Sequence, residues 1–379
     1  MQKQKVLGYF LYGHHQKYQL ELFLSLLSAL KHLRRDSHGV TISVVTDQPN
    51  LDPDLPIDIL LISPEEFASW TNGGAYHHRA KCFALKKLLD HYQCPVVMVD
   101  TDTFFLKSPV YLFERISPAQ TVMHCKETNA IGKLPSYQPL LERLGRTIDV
   151  DGVQISPSSP MYNSGVIGLD PSHALLVEKS ITVLDMVYAA YPLFNVEQFA
   201  IGVVLDQYTK LTSSDDVVFH YWGYHRSFIH IQAERLFADF TANTLEKQLN
   251  ASIPNPLGYP RMPLRDRLIA RLSGAISGWN GDYRFAYLAY RCAFFYAAQD
   301  AQYANTWAQV ALEILQKNTT HYQTIKQDFY RFKPNQLHQL SWLDPQIRTA
   351  WKQFWHQADT RIADAQVDSR PVDFRQVDS

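Results

Sequence analysis

The chain has 379 residues, enough for one large domain or two ordinary ones, and its 46% apolar content is normal for a globular protein. A formal net charge of −1 argues against a polyanion binder whose whole surface is basic, so no nucleic-acid partner is expected. Four cysteines (Cys82, Cys94, Cys125, Cys292) lack metal-ligand spacing and read as reduced thiols, and no apolar stretch is long enough to span a bilayer, which together fit a cytoplasmic location.

Val6–Tyr12 reads as a strand, an apolar run too short for a signal-peptide core followed by a cleavage site. Leu20–Leu33 has a dense apolar face and predicts a helix. Val40–Thr46 is a second strand, ending in the turn signal Thr46-Asp47-Gln48-Pro49, and Ile57–Ile62 is a third. Tyr76–Tyr92 predicts a helix with Lys81, Lys86 and Lys87 on its wetter side. Strands alternating with helices imply a mostly parallel, doubly wound α/β sheet.

The run Val96-Val97-Met98-Val99 then drives into Asp100-Thr101-Asp102. Residues two apart on a strand share a face, so Asp100 and Asp102 converge at its end, where open α/β sheets place their ligands. Two convergent carboxylates suit a hard divalent cation, Mn²⁺ or Mg²⁺, holding the phosphates of a nucleotide. The other Asp-x-Asp copies, Asp52/Asp54 and Asp149/Asp151, lie in polar stretches with Pro or Gly and read as loop residues.

Thr121–Pro160 is rich in Pro, Gly, Ser and polar groups and reads as a long, partly irregular excursion of the kind used for lids and substrate loops. Tyr162–Asp170 follows, then a helix over His173–Tyr191, another around Glu197-Gln198, and a strand around Val217–His220. Arg261–Trp279 is a basic amphipathic segment, with Leu264, Leu268, Ile269, Leu272 and Ile276 at helical spacing and Arg265, Arg267 and Arg271 interleaved. It has two uses: packing its apolar face on the catalytic domain, which is the expectation, or peripheral contact with an anionic membrane. Asp282–Ala298 and Ala301–Gln316 predict an antiparallel helical hairpin, a module for acceptor recognition or for homo-oligomer formation. Helix continues through Ala358, and the tail after Ala365, which repeats Gln-Val-Asp-Ser (Gln366–Ser369, Gln376–Ser379), reads as disordered.

Four features follow one another in order: Asp100-Thr101-Asp102; Tyr162-Asn163-Ser164-Gly165-Val166; Glu197-Gln198; and His220-Tyr221-Trp222-Gly223-Tyr224-His225-Arg226-Ser227-Phe228. Over residues 6 to 230 this resembles GT-A glycosyltransferases, particularly the retaining family that contains glycogenin and bacterial lipopolysaccharide galactosyltransferases. The family closes its catalytic domain with His-Phe-x-Gly-x-x-Lys-Pro-Trp, and this chain has Arg226 for the lysine and Ser227-Phe228 for the Pro-Trp. The resemblance implies a GT-A fold, a Rossmann-like mixed sheet with helices on both faces, over residues 1–240, with an α-helical region over 241–364 and the tail over 365–379. It implies Asp100, Asp102 and His220 as metal ligands, Gly223 as the point where backbone approaches the diphosphate, and Arg226 as its cationic grip. Asn163 would bind the donor sugar and Gly165 would leave room for it, with Gln198 near the sugar's reactive face and Glu197 on donor or acceptor hydroxyls. In Tyr76-His77-His78-Arg79-Ala80-Lys81, Arg79 is favoured over Lys81 as the basic residue reaching the donor; Tyr12 and Asp47 resemble contacts to the nucleotide base.

The implied activity is metal-dependent transfer of a hexose from a UDP-sugar to a glycan or lipid-linked acceptor, with retention. No strong carboxylate nucleophile is evident beside the sugar strand, and a front-face transfer needs none. Two alternatives stay open. A sugar-phosphate nucleotidyltransferase would want a Gly-rich phosphate loop where this chain reads Tyr12-Gly13-His14-His15-Gln16. A catalytically degenerate scaffold that binds a sugar nucleotide would not need the acidic pair and His220 intact. The doublets His14-His15 and His77-His78 read as loop residues near the cleft, because adjacent side chains on a strand or helix point apart.

Overall fold

The computed structural model describes residues 4–34, 39–145, 147–251, 258–317 and 327–368. The β-branched runs of the first half become strands β1 (Lys5–Leu11), β2 (Val40–Thr46), β3 (Asp58–Leu61) and β4 (Val96–Val99), joined through helices α1 (Gln16–Leu33), α2 (Pro64–Trp70) and α3 (Arg79–Tyr92). The chain continues with β5 (Thr103–Phe105), α4 (Val110–Phe113), β6 (Gln120–Thr128), α5 (Gln138–Leu144), β7 (Ile148–Val150) and β8 (Val153–Ile155). Then come β9 (Met161–Leu169), α6 (Ala174–Ala190), α7 (Val196–Tyr208), β10 (Lys210–Ser213), β11 (Val218–His220), α8 (Tyr224–Leu236) and α9 (Ala242–Asn250).

Seven strands form one sheet in the order β10-β6-β9-β4-β1-β2-β3. Every neighbouring pair is parallel except those made by β9, which runs antiparallel to both β6 and β4. The chain moves outward from β1 to β3 and then returns to β4 on β1's other side, so the C-terminal ends of β1 and β4 flank a crevice at a reversal of strand order. Alternation along β1 covers the sheet twice. Val6 joins Leu85, Leu88 and Phe199 in the core beneath α3, α6 and α7, while Leu7, Tyr9 and Leu11 join Leu22, Leu26 and Leu112 beneath α1 and α4. This is an α/β fold with a mostly parallel mixed sheet, compatible with a Rossmann-like arrangement.

Two expectations change. The excursion over Thr121–Pro160 opens with β6, an interior strand of nine residues; its run Gln-Thr-Val-Met-His-Cys-Lys-Glu-Thr contains no breaker but also no continuous aliphatic stretch. The tail expected from Ala365 is helical through Asp368, and Gln376–Ser379 lies outside the described residues. The four cysteines are free thiols, three of them buried. No helix of the described residues is long and apolar enough to cross a membrane.

The chain divides into two compact units, 1–223 with 232–256, and 224–231 with 257–379. The boundary expected at 240 moves because α9 docks on the first unit: Asp52 accepts the Ala242 N–H at 2.8 Å, and Arg34 pairs with Glu246. The second unit is helical, with α10 (Leu264–Ile276), α11 (Gly281–Tyr296), α12 (Ala301–Lys317) and α13 (Pro345–Asp368). Helices α11 and α12 are the expected hairpin. Its core is aromatic, built on Tyr283, Trp307, Phe332 and Trp351, and the buried indoles of Trp351 and Trp355 donate to Ala308 O (3.3 Å) and Phe332 O (2.8 Å).

Gly8 lets α3 lie close on β1: a Cβ there would sit 2.4 Å from Leu88 Cδ1. Gly8→Ala should lower the unfolding free energy by about 1–3 kcal/mol through overpacking. In urea unfolding of the intact chain, Leu88→Ala should cost clearly less in that background than in the native one; additive effects would show that the two do not share this space.

Candidate metal centre

β4 stops at Val99, and Asp100-Thr101-Asp102 form a bend in place of the strand end expected from their alternation. The Asp100 N–H still donates to Gly165 O at 3.0 Å, extending the β4–β9 ladder by one residue, and the Thr103 hydroxyl donates to Asp100 O at 2.7 Å. β5 then leaves the main sheet and pairs antiparallel with β11, which sets His220 opposite Thr103. The Tyr221 N–H donates to Asp102 O at 3.1 Å and locks that register. The ribbon brings His220 Nε2 to 3.2 Å from Asp102 Oδ1 and 3.9 Å from Asp100 Oδ2. One ligand atom from each of the three residues lies within 4.8 Å of the others.

Asn163 fixes the imidazole. Its Oδ1 accepts the Gly165 N–H at 2.9 Å, which assigns that atom as the amide oxygen, so His220 Nδ1–H must donate to it, also at 2.9 Å. A neutral ring held this way aims the Nε2 lone pair at two carboxylates, an arrangement that calls for a proton or a metal ion between them. Two carboxylates and an oriented imidazole nitrogen fit a divalent ion. A Cβ on Gly165 would lie 2.2 Å from His220 Nδ1. The space at Gly165 is therefore filled by the imidazole, where the resemblance implied room for a sugar.

A buried lysine completes the centre. Lys81 Nζ, on the first turn of α3, lies 2.6 Å from Asp100 Oδ1 and 3.7 Å from Glu197 Oε1, and donates to Ser164 Oγ at 3.1 Å. Burial works against its charge, but Asp100 and Glu197 more than offset this and raise its pKa above the ordinary value. Ser164 passes the contact on, donating to Glu197 Oε1 at 2.7 Å. Arg79, favoured over Lys81 in the sequence, instead grips Asp185 at 2.6 and 2.8 Å, caps the Ser69 and Trp70 carbonyls, and stacks on Phe83. Two positions set the difference: Lys81, expected on the wetter side of the helix, is buried, while Arg79 is partly exposed on the same helical turn.

Glu127 at the end of β6 is a residue the sequence did not yield, and it places a carboxylate beside Asn163. It is exposed and accepts from Asn163 Nδ2 and from Gln198 Nε2, both at 2.9 Å. Gln198 Oε1 in turn accepts the Ser164 N–H at 3.3 Å. Glu197 is buried on Ser164 and Lys81, so its side chain supports the centre from behind. His124, also missed, is buried edge-on to His220 at 5.4 Å, and burial pushes its pKa down to about 3, keeping it neutral.

Tyr12 ends up at the same crevice, its pKa raised by burial and then by Tyr18 and Asp100. It packs with Phe67 (5.2 Å) and stacks on the exposed His77 (6.2 Å), a small aromatic shelf past the end of β1. Asp47 accepts the Gly13 N–H through both oxygens at 3.1 Å, holding the β1–α1 loop. His15 caps α1 through Nδ1. Gly223 adopts φ +74°, which a glycine takes without strain, as the last residue of the first unit's main segment. Arg226 lies on the first turn of α8, in the stretch that belongs to the second unit. No protein-family model matches this chain, and no curated protein matches it.

Asn163→Ala should weaken Mn²⁺ binding roughly 10–100-fold with the fold intact, because the ring loses its orienting partner; calorimetric titration reads this directly, and unchanged affinity would remove Asn163 from the centre. Lys81→Met should cost about 3–5 kcal/mol in EDTA by leaving buried carboxylates uncompensated, and added Mn²⁺ should recover part of the loss in thermal melts. A loss indifferent to metal would make Lys81 a purely structural cation.

Proposed function

We propose that the first unit is a metal-dependent GT-A glycosyltransferase that moves a hexose from a nucleoside diphosphate sugar, with UDP as the nucleotide, to a glycan or lipid-linked acceptor. The observation that carries this reading is the meeting of Asp100, Asp102 and His220, from a bend and a distant strand, at the crevice between the ends of β1 and β4. Open α/β sheets bind nucleotides at that reversal of strand order. The shelf of Tyr12, Phe67 and His77 offers aromatic faces on which a base can stack.

In this reading Asp100, Asp102 and His220 would hold Mn²⁺ or Mg²⁺, and the imidazole nitrogen favours Mn²⁺. When bound, such an ion supplies Lewis-acid stabilisation of the negative charge that develops on the departing diphosphate. Lys81 keeps Asp100 oriented and adds fixed positive charge behind it. Asn163 holds the histidine tautomer. Gln198 and Glu127, the partly open end of the network, bind hydroxyls of the sugar and of the acceptor. Glu127 is also the side chain suited to take the acceptor's proton, and the anomeric configuration of the product distinguishes a base on the far face from a front-face transfer.

Calorimetric titration of UDP, GDP, CMP and their sugar conjugates, each with Mn²⁺ and with EDTA, tests the proposal. Metal-dependent binding of one nucleoside diphosphate, lost in Asp102→Ala, is expected, followed by sugar turnover that Glu127→Gln slows more in kcat than in KM. If folded protein binds no nucleoside diphosphate under either condition, the glycosyltransferase reading fails.

A further inference from the structure

Helix α10 carries its apolar side outward. Leu264, Leu268, Leu272 and Ile276 recur every four residues, so they step round the axis by roughly 40° at a time and form one ridge about 120° wide. Their exposures are 68%, 49%, 61% and 86%. The opposite side packs on α11: Ala270 and Gly274 are buried, and a Cβ on Gly274 would already meet Arg284 Cδ at 3.1 Å. Within its own unit, α10 thus turns its small residues to the neighbouring helix and its leucines away from it. The small residues face the partner helix, because only they allow the close approach, and the large ones are left outside.

The segment that carries the ridge is basic. Arg261, Arg265, Arg267 and Arg271 are all exposed, and Asp266 is the one acidic residue between 258 and 281. Asp266 is bound to Arg291 at 2.6 Å and adds no negative charge to the surface. The arginines border the ridge, with Arg265 on one flank and Arg267 and Arg271 on the other, placed to extend their guanidinium heads past the leucines. In a chain of net charge −1 this is a local concentration of positive charge on an apolar face.

We propose that α10 is a docking helix for an anionic lipid surface, lying in the plane of the bilayer with Leu264, Leu268, Leu272 and Ile276 among the acyl chains and the arginines among the headgroups. A second copy of this helix is a poor occupant, because a twofold contact would set three arginines against three without a free counter-charge. The inference stands on α10 alone and does not depend on the chemistry at the metal centre.

The test is flotation of the full chain with vesicles of phosphatidylcholine alone and of phosphatidylcholine mixed with phosphatidylglycerol, at low and high salt. Binding is expected only to the anionic vesicles and should weaken with salt. The triple variant Arg265→Gln/Arg267→Gln/Arg271→Gln should lose on the order of 100-fold in partitioning. Leu268→Ser/Leu272→Ser/Ile276→Ser should lose roughly tenfold or more. All six positions are at the surface, and unchanged thermal melts would confirm that both variants fold. Equal binding to neutral vesicles, binding unaffected by either variant, or no binding by the native chain overturns the proposal. So does light scattering that finds self-association abolished by the serine variant, which would make the ridge a contact between copies.

Discussion

Buried negative charge at the mouth of the sheet constrains everything around it. Asp102 and Glu197 are buried, Asp100 stands partly exposed beside them, and Lys81 is the cation built in among them. Three carboxylates thus share one ammonium and one imidazole. A protein interior holds such an excess only with further compensation. The backbone fixes where they stand: the Asp100 N–H donates into the β4–β9 ladder and the Asp102 carbonyl accepts from the Tyr221 N–H, while the Glu197 carboxylate accepts from Ser164 Oγ. A divalent cation is one ion that this set of donors fits.

The sheet topology is what makes the convergence possible. The parallel strands β1 and β4 both deliver their C-terminal ends to the crevice, and α3 and α7 begin on that side, bringing Lys81 and Glu197 on their first turns. β9 runs the other way, so it passes Asn163, Ser164 and Gly165 directly beneath the bend. His220 arrives by the separate β5–β11 ribbon. Ligands taken from rigid elements, with a second ring of hydrogen bonds behind them, need little reorganisation on binding.

The α/β character and most of its elements were legible because the interior strands are aliphatic and the helices periodic. β2 keeps the bounds read from its sequence. β6 was hidden because its interior positions hold Thr121, Met123 and His124 in place of valine and isoleucine, and Glu127 was hidden with it. α2 carried a readable signal that went unused: Ser63-Pro64-Glu65-Glu66 is a capping box with proline at the first turn, and both of its hydrogen bonds form. The choice between Arg79 and Lys81 was not legible, since both lie on one turn of one helix and only the packing of α3 on the sheet decides which is buried. The direction of the ridge on α10 was illegible for a related reason. A hydrophobic stripe states that a face is apolar and leaves open what covers it, whereas Ala270 and Gly274, unremarkable in sequence, mark the face that packs.

Asn163 and Gly165 change what the centre can recognise. Both were expected to face a donor sugar, yet Asn163 is committed through Oδ1 to His220 and through Nδ2 to Glu127, and the room at Gly165 is filled by the imidazole. Their side of the site is therefore concerned with holding His220. Groups with capacity left for hydroxyls are Gln198, whose amide is bound only on one edge to protein backbone, and Glu127, whose carboxylate is exposed. These two are joined by a hydrogen bond, so a hydroxyl that engages one alters the other's geometry, and through Asn163 the same chain of contacts ends on His220 Nδ1. Occupancy at the open end of this network is thereby coupled to the orientation of the His220 imidazole, by contacts short enough to act as one cooperative unit.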